Sequence, residues 1–160
     1  MKRLFHSMLF GATFLAALAG ITPAAHAAQC SQAGSAGNYG FTLSGVVILP
    51  TGAVPLAAVG KAIIDSGGNV TGTEARSVGG AYADETFTGS FTVNADCTGT
   101  VTLKFYEGAQ LVRTSVLSTV TDNNGREIRM VQRSLQLPNG AFLPAVITVE
   151  ARRISLEVAD

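Results

Sequence analysis

Charged side chains inside alternating segments are the residues of this sequence with the best placement for chemistry. Glu74 and Arg76 stand two positions apart and therefore share one face of a strand, as do Glu127 and Arg129. An arginine–carboxylate cluster that lines a cavity can orient an acidic or carbonyl-bearing ligand. Further charged residues fall within predicted strands at Lys104, Glu107, Arg113, Arg133, Glu150 and Arg152.

The seventh alternating segment indicates on which side its own charges lie. Ile128 and Met130 occupy one face of this segment, and Glu127, Arg129 and Arg133 occupy the other. Because an apolar face turns toward the core, we expect these three charged side chains on the solvated outside. If this segment had the opposite register, its arginine and glutamate side chains would instead line the interior of the fold. The sequence alone leaves open which of the charged residues in the other strands face inward.

The first residues have the composition of a secretory signal peptide. Lys2 and Arg3 precede an apolar run over 8–21, and an Ala-x-Ala site follows at 25–27. A basic start, a short hydrophobic middle and small residues at the cleavage site are typical of export signals. We therefore expect residues 1–27 to be removed.

Catalysis by imidazole and metal binding by histidine are not expected in the mature chain. Both histidines, His6 and His26, lie within the predicted leader. The sequence also contains no nucleotide-binding loop, no zinc-binding pattern and no serine elbow. We accordingly predict no catalytic residue, no metal and no cofactor.

Cys30 and Cys97 are the only cysteines. In an oxidising compartment, two such cysteines are expected to form a disulfide. A redox-active pair is the alternative, but that chemistry favours a local C-x-x-C arrangement. Closing a loop of this length stabilises the folded state by on the order of 4 kcal/mol in the chain-entropy description.

Alternation with a period of two runs from Tyr39 onward and predicts strands. In the clearest case Phe87, Phe91 and Val93 share one face, while hydroxyl side chains occupy the other. This pattern is typical of a half-buried strand. The predicted strands are 41–49, 57–65, 70–78, 86–93, 100–106, 111–121, 126–135 and 145–154.

Short turns rich in Asn, Asp and Gly join these strands, which indicates antiparallel neighbours. Closure into a barrel protects both edges of such a sheet, so we predict an all-β, eight-stranded, antiparallel up-and-down barrel. A β-sandwich is the alternative. Glycines within strands, at Gly45, Gly60 and Gly89, permit the sharp coiling that a small barrel needs.

The predicted organisation is a leader over 1–27, an N-terminal segment over 28–38 that carries one disulfide cysteine, and a single barrel domain over 39–160. We expect Tyr39 to plug the closed end of the barrel, with its hydroxyl bonded to backbone. The apolar segment 50–56 is expected to cross the open end, either as a lid or as a simple covering loop.

Several glycine-rich motifs carry a resemblance to a known group of proteins. They are Gly-Asn-Tyr-Gly-Phe at 37–41, Ala-Val-Gly at 58–60, the turn at 65–72 and the hairpin at 89–100, with its Asp-Cys-Thr-Gly-Thr turn. Together they resemble small exported bacterial β-barrel proteins that are calycin-like, similar in outline to lipocalins and to the allene oxide cyclase barrel. The resemblance implies a calycin-like barrel and assigns no site residue.

An exported barrel that binds a small apolar or amphipathic ligand is the leading functional hypothesis, because eight strands enclose room for one small ligand. The residues predicted to contact it are Tyr39, Gly60, Ala62, Phe87, Phe91, Phe105 and Met130. Two alternatives stay open. One is a structural or adhesive envelope module, which the alternating pattern at 146–158 favours. The other is a cofactor-free isomerase or cyclase.

The charge balance argues against a nucleic-acid partner. Without Lys2 and Arg3 the chain carries nine basic and eleven acidic side chains, and no basic stripe. No apolar run after Ile21 approaches the roughly 20 residues that a membrane-spanning helix needs. We therefore expect a soluble mature chain in the bacterial periplasm or outside the cell. The oligomeric state and the identity of the ligand are not determined by the sequence.

Overall fold

Each strand pairs antiparallel with the next, and the last strand pairs with the first, so the sheet closes on itself. The computed structural model describes residues 30–154. The strands are β1 (Gly37–Leu49), β2 (Gly52–Ile64), β3 (Asn69–Val78), β4 (Ala81–Val93), β5 (Thr98–Glu107), β6 (Gln110–Asp122), β7 (Glu127–Gln136) and β8 (Ala145–Arg153). The predicted eight-stranded up-and-down barrel is confirmed, and the sandwich alternative is wrong.

The predicted division of the chain into leader, N-terminal segment and barrel domain stays a prediction. Strand β1 begins at Gly37, two residues before the predicted start of the barrel domain. The predicted leader over 1–27 lies outside the described residues. So do the last six residues of the predicted domain.

Aromatic side chains from alternating positions fill the centre of the barrel. Phe41, Phe87 and Phe105 are buried on β1, β4 and β5. The ring centroids of Phe41 and Phe87 lie 5.9 Å apart, and those of Phe87 and Phe105 lie 5.3 Å apart. Edge-to-face contacts of this kind stabilise a core beyond the area that they bury.

Gly60 and Gly89, which lie within strands, do not widen the interior of the barrel. A Cβ atom at Gly60 would lie 2.6 Å from Cζ of Phe41, so an aromatic ring already covers this glycine. At Gly89 a Cβ atom would collide with the backbone carbonyl of Thr102. These glycines therefore allow close approach of a ring and of a neighbouring strand, which is how they support the coiling of the barrel.

Tyr39 closes one end of the barrel, as the sequence predicts. Its side chain is 1% exposed, and its hydroxyl oxygen lies 2.8 Å from the carbonyl oxygen of Ser35 and 2.6 Å from that of Gly125. Arg153 donates to the same hydroxyl at 3.3 Å and to the carbonyl oxygens of Gly34 and Ala36 at 2.8 Å each. One hydroxyl thus joins the segment before β1 to the β6–β7 connection.

Replacing Tyr39 by Phe is expected to lower the free energy of unfolding by about 1–2 kcal/mol, because the buried carbonyls of Ser35 and Gly125 lose the one hydroxyl donor that they share. Urea denaturation followed by circular dichroism measures the change. Tyr82→Phe is the matched control: Tyr82 is 67% exposed, and its loss of a hydroxyl should cost under about 0.5 kcal/mol. Equal effects of the two substitutions would contradict the role given to Tyr39.

The predicted disulfide between Cys30 and Cys97 is present. The sulfur atoms are 1.99 Å apart and the Cα atoms 5.0 Å apart, across a sequence separation of 67 residues. Cys97 ends the turn between β4 and β5 and has a φ of 70°, which is unusual for a residue other than glycine. The bond fastens the segment before β1 to the closed end of the barrel.

The expected loop over 50–56 is wrong, because β2 already begins at Gly52 and pairs with β1 from there. Only Pro50 and Thr51 form the turn. Pro55 is tolerated within β2 because the amide that proline lacks would point past the end of the β2–β3 ladder. The direction follows from the carbonyl of Pro55, which lies on the same side of the strand and accepts from the amide of Gly79, the residue after β3. The segment 50–56 is therefore not a lid.

Residues 137–144 lie at the open end instead. Strands β7 and β8 pair only from Glu127 with Arg152 to Val131 with Thr148, so the two strands separate toward this end. The amide of Leu143 donates to the carbonyl of Leu135 at 2.9 Å, which folds the connecting segment back against β7. Leu137 and Leu143 pack against the core from this segment.

Candidate functional site

The interior of the barrel contains a cavity of about 250 Å³. Most of the residues around it are apolar, among them Leu103, Leu117 and Val149. An apolar cavity of about 150 Å³ is large enough for benzene, so this one suits a ligand of about ten non-hydrogen atoms. This cavity combines a mostly apolar lining with a few convergent polar groups and is the candidate functional site.

The structure places most of the residues predicted to contact a ligand around this cavity. Tyr39, Ala62, Phe87, Phe91, Phe105 and Met130 line it. Gly60 does not line it, because the ring of Phe41 covers its inward side. Their contact with a ligand stays a prediction.

Four charged side chains meet on one wall of the cavity. Arg113 on β6 donates from Nη2 to Oε1 of Glu74 on β3 at 2.5 Å, and from Nη1 to Oε2 of Glu85 on β4. Arg76 on β3 donates from Nε to Oε1 of Glu85 at 2.8 Å. Nη2 of Arg76 also lies 3.1 Å from the carboxylate of Glu107 at the rim. We call Glu74, Arg76, Glu85 and Arg113 the ion cluster.

The two carboxylates of the ion cluster are buried, whereas Arg76 and Arg113 keep part of their side chains exposed. Glu74 is 4% exposed and Glu85 is 2% exposed. The guanidinium carbon of Arg113 lies 3.8 Å from the centroid of the Phe105 ring, so an aromatic face covers this arginine. Oε2 of Glu74 is buried and has no hydrogen-bond partner among the described residues. The wall therefore combines paired charges with one carboxylate oxygen that has no donor among the described residues when Glu74 is ionised.

Burial and neighbouring charges give the two carboxyls opposite tendencies. Burial raises the pKa of Glu74 to about 7, although the Arg113 charge opposes this, and a hydrogen bond with Glu85 adds to the rise. Burial also disfavours the charge on Glu85, but Arg113 and Arg76 outweigh it and lower the pKa of that carboxyl. Near pH 7 Glu74 is therefore protonated in about half of the molecules, whereas Glu85 stays ionised.

The face that Glu74 and Arg76 share turns inward, a direction that the sequence alone left open. Arg113 joins them. Glu85 was not among the predicted candidates, because the fourth strand was expected to begin at residue 86, whereas β4 begins at Ala81. Extending the alternation of Phe87 and Phe91 back by one step would have placed Glu85 on the inward face.

The charges of β7 lie outside, as predicted. Arg129 is bonded to Asp122 on the outer face, and its side chain is 58% exposed. Arg133 is exposed as well, and Glu127 lies on the same outward face, near Arg152. Met130, from the opposite face of the same strand, lines the cavity.

Within residues 30–154 no three His, Cys, Asp or Glu side chains are grouped in a way that would hold a metal ion. No helix in this part of the chain has the length and the apolar character that crossing a membrane requires.

Two solved structures share this architecture. One is the structure of EF1p2_mFAP2b bound to DFHBI, with a TM-score of 0.52 and 9% identity, covering 76% of this chain and 94% of that one. The other is a redesigned β-barrel, mFAP1, bound to DFHBI, with a TM-score of 0.50 and 14% identity, covering 77% of this chain and 100% of that one. At this identity the likeness shows the fold alone, an eight-stranded barrel consistent with the calycin-like expectation. No protein-family model and no curated protein matches the sequence.

Proposed function

We propose that this protein binds a small amphipathic ligand inside its barrel. The observation that carries the proposal is the cavity of about 250 Å³, which is lined mostly by apolar side chains and has the ion cluster on one wall. Ligand sites in proteins commonly combine an apolar lining with a few polar groups that fix orientation. The apolar part of the ligand would lie against Phe87, Phe91 and Phe105, and its polar part would face Glu74 and Arg113.

The two structural neighbours support the proposal by analogy. Both are β-barrels bound to the small dye DFHBI, so barrels of this architecture can hold a ligand of that kind. The analogy does not extend to the identity of the ligand, since the sequences share at most 14% of their residues with this chain.

Filling the cavity should abolish binding. Ala62 lines the cavity from β2, and Ala62→Phe would place a ring in the space that the ligand needs. Indole is a suitable probe because it has about ten non-hydrogen atoms. Its fluorescence can be followed without background because the chain contains no tryptophan. We expect saturable binding of indole to the unmodified protein and at least about tenfold weaker binding to Ala62→Phe.

Val59→Phe provides the matched control for this experiment. Val59 lies on the same strand but faces outward and is 58% exposed, so the same added ring should leave binding unchanged. Circular dichroism spectra of both variants establish that the barrel is intact. The proposal is overturned if the unmodified protein gives no saturable signal, or if Ala62→Phe binds indole as well as Val59→Phe does.

A cofactor-free isomerase or cyclase is a second candidate, favoured by the position of Glu74. A carboxyl with a pKa of about 7 that lines a cavity can both give and take a proton near neutral pH. The discriminating measurement is mass spectrometry and NMR of a bound ligand after prolonged incubation. A ligand that stays unchanged supports the binding protein. Conversion that stops in Glu74→Gln supports the enzyme.

We further propose that the protein is exported to an oxidising compartment. The disulfide between Cys30 and Cys97 supports this, because such bonds form and persist mainly outside the cytosol. The expected leader over 1–27 and a periplasmic or secreted location are parts of this proposal. The strand exchange that an adhesive module would use finds little support, because β8 pairs with both of its neighbours over 148–152.

A further inference from the structure

In the ionised form of Glu74, Oε2 is a buried acceptor without a donor among the described residues, whereas the protonated carboxyl can donate to Glu85. The Oε1 atom of Glu74 accepts from Arg113 at 2.5 Å, whereas Oε2 has no partner among the described residues. The other buried oxygens in that position, on Thr119, Thr121 and Asp122, belong to residues that do not line the cavity. A buried polar atom left without a partner destabilises a protein by about 1–3 kcal/mol, so a donor is expected to complete this site.

The arginines next to Glu74 are already committed to carboxylates. Both terminal nitrogens of Arg113 donate to glutamates of the ion cluster. Arg76 is turned to Glu85 and to Glu107 at the rim. A ligand carboxylate would have to displace one of these internal partners before it could reach a guanidinium group. A ligand donor meets no such competition at Oε2 of Glu74.

We propose that the cavity selects an amphipathic amine, whose ammonium group donates to Oε2 of Glu74 while its apolar body lies among the phenylalanines. This inference rests on the proposed ligand-binding function and adds the chemical class of the ligand. The cavity volume limits the molecule to about ten non-hydrogen atoms, such as an alkylamine of eight carbons or a small arylalkylamine.

Charge balance within the ion cluster agrees with this assignment. The charged groups facing Glu74 are Arg113 from β6, Glu85 from β4 and Arg76 from its own strand. The inward residues of β2, on the other side of Glu74, carry no charge: they are Leu56, Ala58, Gly60 and Ala62. With Glu74 ionised, the carboxylates of Glu74, Glu85 and Glu107 exceed the two guanidinium groups by one negative charge, which an ammonium group compensates. With Glu74 protonated, this excess is gone, and an ammonium group would add an uncompensated charge.

A proton and the ligand ammonium therefore compete for Glu74. Because the pKa of this carboxyl is raised to about 7, it is mostly protonated at about pH 5.5 and mostly ionised at about pH 8. An alkylammonium group keeps its own charge over this range, as lysine does. Amine affinity should therefore rise with pH, by up to about 30-fold between these two values. An alcohol of the same length should show little change.

The experiment compares octylamine, octanol and octanoate, each with about ten non-hydrogen atoms, as competitors of indole. At about pH 8 we expect octylamine to bind most tightly, by at least about tenfold over octanoate. Glu74→Gln should remove this preference, since the amide keeps the shape and can still accept from Arg113 but offers the ammonium group no charged acceptor. Glu150→Gln, on the exposed face of β8, is the matched control and should change none of the three affinities.

The outcomes separate this inference from the proposed function. If octanol or octanoate binds best, or if Glu74→Gln leaves the affinity for octylamine unchanged, the amine assignment is overturned while ligand binding stands. If indole and all three competitors fail to bind the unmodified protein, both the assignment and the proposed function are overturned. A preference for octylamine that is lost in Glu74→Gln and that weakens at low pH supports both.

Discussion

Replacing Arg113 by Met is expected to lower the free energy of unfolding by about 3–5 kcal/mol near pH 8, the largest effect that we predict for a single substitution. Arg113 is the one residue that pairs with both buried glutamates. Without it, Glu74 and Glu85 would face each other in a dry wall with like charges. Removing one partner of a buried ionic network costs far more than the network adds to stability, because the remaining charges lose their compensation.

The loss should depend on pH, and its direction follows from the carboxyls. Without the guanidinium group the pKa values of Glu74 and Glu85 both rise in the folded state, since burial then acts unopposed. A group whose pKa is raised by folding stabilises the folded state at low pH and ceases to do so as pH rises through the folded value. The Arg113→Met variant should therefore lose much less stability at about pH 5 than at about pH 8.

Arg129→Met is the matched control for this prediction. Arg129 forms an ion pair with Asp122 on the outer face, where exposed pairs contribute about 0–1 kcal/mol. Urea denaturation of both variants at two pH values gives the comparison. Similar losses for the two substitutions, or a loss in Arg113→Met that does not shrink at low pH, would show that the ion cluster is not a buried network.

The double substitution Cys30→Ser with Cys97→Ser should lower the free energy of unfolding by about 4 kcal/mol. The disulfide closes a loop of 67 residues that contains β1 to β4, so its removal enlarges the unfolded ensemble considerably. Thermal and urea denaturation measure the loss. The unmodified protein in the presence of a strong reductant should behave in the same way. Unchanged unfolding after complete reduction would contradict the prediction.

The backbone conformation of Cys97 allows a second comparison, between serine and glycine at this position. Its φ of 70° is a conformation that serine adopts with strain and glycine adopts freely. Cys30→Ser with Cys97→Gly should therefore be more stable than the double serine variant by about 1 kcal/mol. The reverse order would mean that the turn changes its backbone conformation once the disulfide is gone.

The barrel could be predicted from the sequence because every strand carries its own evidence. Alternation in β4, with Phe87 and Phe91 on one face, requires a half-buried strand wherever that segment lies in the fold. The start of β2 could not be predicted in the same way. Pro50 and Pro55 in this segment indicate a loop. Strand β3 ends at Val78, opposite Leu56, so no residue of β3 needs the amide that Pro55 lacks, and the sequence does not show where β3 ends.

The ion cluster could be predicted only in part, because its contacts depend on the closure of the barrel. Glu74 and Arg76 share a face at any register, so their pairing on one side follows from the period of the strand. Arg113 reaches Glu74 from a strand three places along the sheet. That contact exists only because inward side chains of distant strands converge in a closed barrel. No spacing in the sequence encodes it.

The cavity is also a property of the whole assembly. Gly60 suggests free space in the sequence, yet the ring of Phe41 occupies it. The cavity is instead the space that the inward side chains of the eight strands leave unfilled. Its size depends on the strand tilt and register with which the barrel closes.

The ladder between β1 and β8 bears on how the chain reaches its native state. It joins Tyr39 to Arg153, residues 114 positions apart, and nothing earlier in the chain can take the place of β8. During synthesis, which proceeds from the amino terminus, β1 must wait for almost the entire polypeptide before its second neighbour exists. Until then the growing sheet has two bare edges that can recruit other chains. Such long-range closure is intrinsically slow, so assembly of this wall is governed by its final strand.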